Sequence, residues 1–207
     1  MNEIKNEREL VKRLKTLFEE KRPTSLKKIF IHTNLATKKF RDIWREWWKS
    51  EISPGLEVDM ISVFEDTTGI DKVLIAGVEI EFFKDKTKSF CDGLQQILSF
   101  GLFGFDSLVL WHIFSERMEN KNIEECVRST EEIIEGFNLP IVYLATKLIG
   151  TDRFELFAPW RLSGSVEADY LLSSLKDCCN KKRNPLLNKE EIERRKKMLK
   201  IKLNIPV

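Results

Sequence analysis

Residues 56–83 read LEVDMISVFEDTTGIDKVLIAGVEIEFF, two apolar runs on either side of a Thr67-Thr68-Gly69 turn. In the first run Glu57, Asp59, Ile61 and Val63 alternate with Leu56, Val58, Met60, Ser62 and Phe64, the period-two pattern of a strand. The second, residues 72–83, is almost wholly apolar until Glu79-Ile80-Glu81, which predicts a central strand buried on both faces. Successive strand side chains point to opposite faces, so Glu79 and Glu81 emerge together on one of them. If the runs pair as a hairpin, Asp59 comes within metal-sharing distance of both. A buried carboxylate costs several kcal/mol, as an order of magnitude, unless it is paired or holds a cation. The cluster therefore asks for a metal, and the rest of the chain reads as its scaffold.

At 207 residues, 42% hydrophobic and 33% charged, the chain suits one α/β domain with a sizeable core. No stretch approaches a membrane span, and the first thirty residues lack an apolar signal region, so a cytoplasmic protein with no membrane partner is expected. Cys91, Cys126, Cys178 and Cys179 are scattered and only His32 and His112 supply imidazoles, which excludes a zinc motif and predicts reduced thiols. The net charge of +2 hides a segregation. Residues 1–50 carry 14 Lys/Arg against 7 Asp/Glu, residues 51–175 carry 10 against 22, and residues 176–207 carry 11 against 4. Basic ends around an acidic middle suit a protein that grips a polyanion peripherally and holds cations centrally.

Ahead of the hairpin, residues 3–21 place Leu10, Val11, Leu14, Leu17 and Phe18 on one helical stripe. Two further helical patterns, residues 25–32 and 36–49, flank Thr33-Asn34, an arrangement that also fits a helix-turn-helix DNA reader. After the hairpin, the expected elements are a helix over 92–103 bearing Gln95 and Gln96, a buried strand over 106–114, a helix over 122–137 and a strand over 141–149. A strand over 154–159, a helix over 166–178 and a charged helix over 189–199 complete the tail. The whole is a mixed β-sheet flanked by helices.

Chemically, Asp59 and Glu79 offer oxygen ligands to a hard cation, Mg²⁺ or Mn²⁺, which would activate water and clamp a leaving oxygen at a phosphodiester. Glu81 is placed to orient or deprotonate the water, and Lys84 or another lysine of the following loop to offset charge at the phosphate.

Asp59, followed by Val78-Glu79-Ile80-Glu81 and a helix carrying Gln96-Ile97-Leu98-Ser99-Phe100, resembles the PD-(D/E)XK, or restriction endonuclease-like, nuclease superfamily. The resemblance covers residues 36–114 and implies an αβββαβ core with helical additions at both ends. In it, residues 1–50 are basic N-terminal helices, 51–150 the nuclease-like core and 151–207 an extension with a basic tail. It also implies that Asp59, Glu79 and the Ile80 carbonyl ligate the metal and that Gln96 helps to position the site. Glu81 stands where the family's motif has lysine, which leaves Lys84, Lys86 and Lys88 open as replacements. Glu46 and Glu51 are candidates for the extra acid that some branches carry in their first core helix. Richness in lysine, glutamate and isoleucine is similar to that of proteins of thermophilic archaea and their viruses, for which the compartment would be the host cytoplasm. The expectation is a Mg²⁺/Mn²⁺-dependent endonuclease, a homodimer, acting on branched or structured DNA. The alternative is a non-catalytic DNA-binding protein, built on the helix-turn-helix candidate or on a degenerate nuclease fold.

Overall fold

The hairpin forms where the alternation predicts it. In a computed structural model describing residues 4–48, 56–66, 72–85 and 87–206, strands β2 (Glu57–Glu65) and β3 (Val73–Phe83) pair antiparallel, Met60 opposite Val78 and Phe64 opposite Leu74. The Thr67-Thr68-Gly69 turn lies outside the described residues.

Seven strands form one mixed sheet in sequential order. To one side of the hairpin lies β1 (Leu26–Asn34), antiparallel to β2; to the other, β4 (Ser107–Phe114) and β5 (Ile141–Ile149) run parallel to β3. An antiparallel pair, β6 (Arg153–Ala158) and β7 (Ser165–Glu167), closes the far edge. β4 is buried along its whole length, as a parallel strand covered on both faces must be.

Helices cover both faces, giving three α/β/α layers. Buried side chains of α2 (Lys38–Trp48), α3 (Leu94–Phe100), α4 (Asn120–Gly136) and α6 (Glu190–Lys202) fill one face, among them Phe40, Phe100, Ile123 and Met198. Helices α1 (Glu7–Glu20) and α5 (Ala168–Lys181) fill the other with Leu10, Leu14, Phe18, Leu171 and Leu175. The Phe18 and Trp111 rings stack at 5.9 Å between centroids. In α1 the predicted stripe is the buried one, and Asn6 caps its start by accepting from the Glu9 N–H at 2.9 Å.

One element departs from expectation. Residues 26–34 form a strand, so the helix predicted over 25–32 is not formed and the helix-turn-helix candidate falls with it. The spacing of Leu26, Ile29 and Phe30 fits a helix, but the run Ile29-Phe30-Ile31 equally fits an edge strand, and pairing along nearly all of β2 decides the outcome. Strand β7, three residues long, carries too little pattern to be read.

Part of the basic tail is turned inward. Lys196 Nζ pairs with Asp106 Oδ1 at 2.7 Å, Arg183 bridges Asp66 at 2.7 Å, and the Arg195 guanidinium lies 4.8 Å over the Trp44 ring. Asp106, 3% exposed, also accepts the Ile75 N–H at 2.8 Å. Gly104, in the left-handed region at φ +82°, lets α6 approach: a Cβ there would lie 2.5 Å from the Lys196 backbone nitrogen. On the outer side, Arg194 and Lys197 pair with Glu190 and Glu193 one turn away. Removing one partner from a buried ion-pair network strands the others, so Asp106→Ala should cost about 3–5 kcal/mol, read as a loss of denaturation free energy.

Candidate functional site

Strands β2 and β3 part company at their acidic ends. The ladder runs from Glu65 opposite Val73 to Met60 opposite Val78 and stops there. The last residues of β3 thus have β4 on one side and no strand on the other, and their outward N–H groups need acceptors. Carboxylates supply them: Asp59 Oδ2 accepts the Ile80 N–H at 3.0 Å, and Glu7 Oε2, from the first turn of α1, accepts the Phe82 N–H at 3.0 Å. In an extended strand the N–H and C=O of one residue point to the same edge, so the Ile80 carbonyl faces this opening beside Asp59.

Glu79 and Glu81 project from β3 toward α3, as the period of two predicts. Both are buried, at 4% and 9% exposure. Gln96 Nε2 donates to Glu79 Oε2 at 2.9 Å and, at 3.3 Å, to the Glu57 carbonyl, tying α3 to both strands of the hairpin. Glu81 takes a different partner. The loop after β3 folds back so that the Lys88 ammonium pairs with Glu81 and, at 2.8 Å, with Glu7 Oε2. Gly93 admits Glu81 beneath the start of α3: its φ is +79°, and a Cβ there would lie 3.0 Å from Glu81 Cγ and Oε1. Gly93, Gln95, Gln96 and Ser99, with Leu56 and Glu57 of the hairpin, line an open groove of about 570 Å³; Asp59, Glu79 and Glu81 are not among its lining residues, and Gln96 links it to Glu79.

The electrostatics divide the acids into two groups. Burial, then the neighbouring Asp59 and Glu81 charges, pushes Glu79 up to about 9. Burial also raises Asp59, to about 6, although the Ile80 N–H opposes it. Glu81 is raised by burial too, but Lys88 pulls against the shift. Burial alone would lower the Lys88 pKa; its bonds to Glu7 and Glu81 outweigh that, and it stays charged. Among the described residues Asp59 and Glu79 thus form no ion pair and feel Lys88 only as a weaker, lowering influence, while Glu81 and Glu7 are bonded to it. Next to Glu81 in the β3–β4 register sits His112, which burial pushes down to about 3; its Nδ1 meets the Tyr143 hydroxyl at 2.9 Å. It is a neutral wall.

The sequence-derived candidates are therefore redistributed. Asp59, Glu79, Ile80 and Gln96 come together. The convergence of three carboxylates does not occur, because Glu81 is taken by Lys88; among the described residues no group of three or more His, Cys, Asp or Glu side chains is disposed to hold a metal. Lys84 is also displaced. Its Nζ donates to the Lys5 carbonyl, on the opposite face of β3 from Glu81. Glu46 is exposed on α2, and Lys86 and Glu51 lie outside the described residues. Two contributors escaped the sequence reading: Glu7, whose place in the first turn of α1 reads as ordinary helix-dipole compensation, and His112, which reads as core. No described helix is long and apolar enough to cross a membrane. Comparison with protein-family models, curated proteins and solved structures found no match for this chain.

Proposed function

We propose that this chain is a divalent-metal-dependent DNA endonuclease of the PD-(D/E)XK type, with its scissile phosphate received in the groove under α3. The observation that carries the reading is the Asp59–Glu79 pair: a half-buried and a buried carboxylate brought close at the splayed end of a hairpin, with no ion-pair partner for either among the described residues. Their chemistry fits a hard ion. Asp59 and Glu79 each commit one oxygen to a neutral donor, Ile80 N–H or Gln96, and keep the other, and the Ile80 carbonyl faces the same opening. Asp59, Glu79 and Ile80 would hold Mg²⁺ or Mn²⁺, which supplies Lewis-acid stabilisation of charge on the phosphate.

The other residues have separable tasks. Gln96 fixes the rotamer of Glu79 by its hydrogen bond. Lys88, held charged by Glu7 and Glu81, would replace the motif's lysine, whose place in the sequence Glu81 occupies, and offset negative charge at the phosphate. Glu81 positions Lys88. Residues 36–114, expected to span the αβββαβ core, hold only α2, β2, β3, α3 and β4 as α-helices and strands among the described residues. The order of α1, β1, β2, β3, α3 and β4, with α2 inserted after β1, supports such a core over residues 7–114 instead, with α1 as its first helix and Glu7, in place of Glu46 or Glu51, as the extra acid. With Arg183 and Lys196 of the basic tail spent on internal pairs, substrate contacts fall to its exposed cations, to lysines and arginines nearer the groove and to the N-terminal half. Cutting both strands of a duplex would use two copies of the chain.

The test is incubation of the full chain with labelled duplex, flap and four-way DNA in Mg²⁺ or Mn²⁺. Cleavage is expected, and Asp59→Ala should abolish it. Cleavage undiminished in Asp59→Ala, or none on any substrate, overturns the assignment, and salt-sensitive binding without cleavage would indicate a DNA-binding protein.

A further inference from the structure

A second cavity lies across β3 from the carboxylates. It occupies about 430 Å³ at the carboxyl ends of the three parallel strands, between Phe82 of β3 with Lys84 just after it, Ser115–Arg117 after β4, and Leu148 and Gly150 at the end of β5, with Arg13 of α1 on the remaining side. Crevices outside the carboxyl ends of parallel strands are where α/β sheets receive ligands.

Its lining is sorted by chemistry. Three cations border it, Arg13 from α1, Lys84 and Arg117, against an apolar floor of Phe82, Leu148 and Ile4. Two acids share the wall: Asp85 accepts from the Thr87 N–H at 2.9 Å and from the Thr87 hydroxyl and feels the Lys84 charge, and Glu116 accepts at 3.4 Å from the N–H of Gly150, itself a lining residue. Arg13 forms no ion pair among the described residues. Arginine and lysine over an apolar floor suit a phosphate attached to a sugar and base. An isolated metal ion would be repelled by those cations, and an apolar ligand would make no use of Arg13.

The cavity is coupled to the candidate active site by one strand end and one side chain. Phe82, on its floor, is the residue after Glu81, with its side chain on the opposite face. Glu7, which accepts the Phe82 N–H, is also the partner of Lys88. We infer that this cavity binds a nucleotide of the substrate strand, its phosphate on Arg13, Lys84 and Arg117 and its sugar or base against Phe82 and Leu148. The inference rests on the nuclease reading for the identity of the strand, and on the cavity alone for the phosphate. Two sources supply that group, a terminal phosphomonoester or an internal diester.

The experiment measures binding of the full chain to short fluorescent single strands by anisotropy, in EDTA so that no cleavage occurs. The strands carry a 5′-phosphate, a 3′-phosphate or hydroxyl ends, and inorganic phosphate serves as competitor. Arg13→Ala is expected to weaken binding about tenfold or more, Arg13→Lys to recover part of that, and Lys84→Ala to weaken it less, with competition by phosphate lost in step. Preference for a phosphorylated end assigns the monoester; equal binding of all three strands, still dependent on Arg13, assigns the diester. Wild-type affinity in both Arg13→Ala and Lys84→Ala overturns the inference. Should Arg13→Ala fail to fold, the exposed Lys84 carries the test, and unchanged affinity in Lys84→Ala alone is then sufficient to reject it. Because the measurement excludes metal, failure of the nuclease assignment would appear as lost cleavage with this binding intact, and failure of the cavity as the reverse.

Discussion

Glu79→Gln should abolish cleavage and, in the same protein, raise the stability of the metal-free fold. Glu79 is buried and its pKa rises from the ordinary 4.5 to about 9. Between those values the folded state keeps a proton that the unfolded chain releases. The contribution of Glu79 is therefore fully present below pH 4.5 and is lost as pH rises toward 9, by at most about 1.4 kcal/mol per unit. Asp59, raised from 3.8 to about 6, adds the same trend over a lower window. Glutamine has no proton to lose and can still accept from Gln96. Melts in chelator should show wild-type stability falling from pH 5 to 9, and the variant ahead by about 2–4 kcal/mol at pH 8. Adding Mn²⁺ should restore the wild type, through binding to the folded state alone, and leave the variant unmoved. Cleavage should drop by about 10³-fold or more, the scale of one preorganised electrostatic contribution. A structural glutamate would give the opposite pattern, a less stable variant with no response of either protein to Mn²⁺, and that outcome would sink the site.

The same residues mark how far the chain could be read in advance. Alternation in residues 56–64 and the apolar run into Glu79 located the hairpin, because a period of two leaves few other solutions. That rule also carried information about Lys84 that goes beyond proximity to Glu81: positions 81 and 83 share one face and 82 and 84 the other, which is where Lys84 lies, against Lys5. Lys88 had no such signal, since its approach to Glu81 depends on how a loop folds back. Glu7 reaches the site from a helix some seventy residues away, and no local pattern encodes that. β1 was misread because six residues with apolar side chains three and four apart satisfy a helix as well as a strand, and the choice is made by β2.

Charge segregation proved a weaker guide than its magnitude suggests. An excess of basic residues in 176–207 reads as a polyanion grip, yet Arg183 and Lys196 neutralise Asp66 and Asp106 inside the fold, and Lys202 donates to Thr37 at 3.2 Å. Acidic groups of the middle and basic groups of the tail are in part the two halves of one buried network. Composition counts charges without their partners, so it could not separate cations that hold α6 in place from those, such as Arg13, that lie beside an open cavity.

Lys88→Ala should cost cleavage about 10²–10³-fold while the fold survives, because in the proposed function the residue offsets charge at the phosphate, and its partly exposed ion pairs contribute little to stability. Lys88 is half-buried between Glu7 and Glu81. Its loss leaves two carboxylates facing each other, so the pH–rate profile should change shape as Glu81, already raised by burial, loses the neighbour that opposes the shift. Lys88→Arg keeps the charge and should recover part of kcat, whereas a merely structural lysine would be replaced by Arg or Ala with no effect on the profile. Lys84→Ala offers the contrast: its side chain borders the cavity on the far face, so its loss should fall on KM for substrate, with kcat retained. If kcat instead falls with Lys84 and holds with Lys88, the lysine of this site is the one nearest to Glu81 in sequence, and the Lys88–Glu81–Glu7 cluster is only a clasp between α1 and β3.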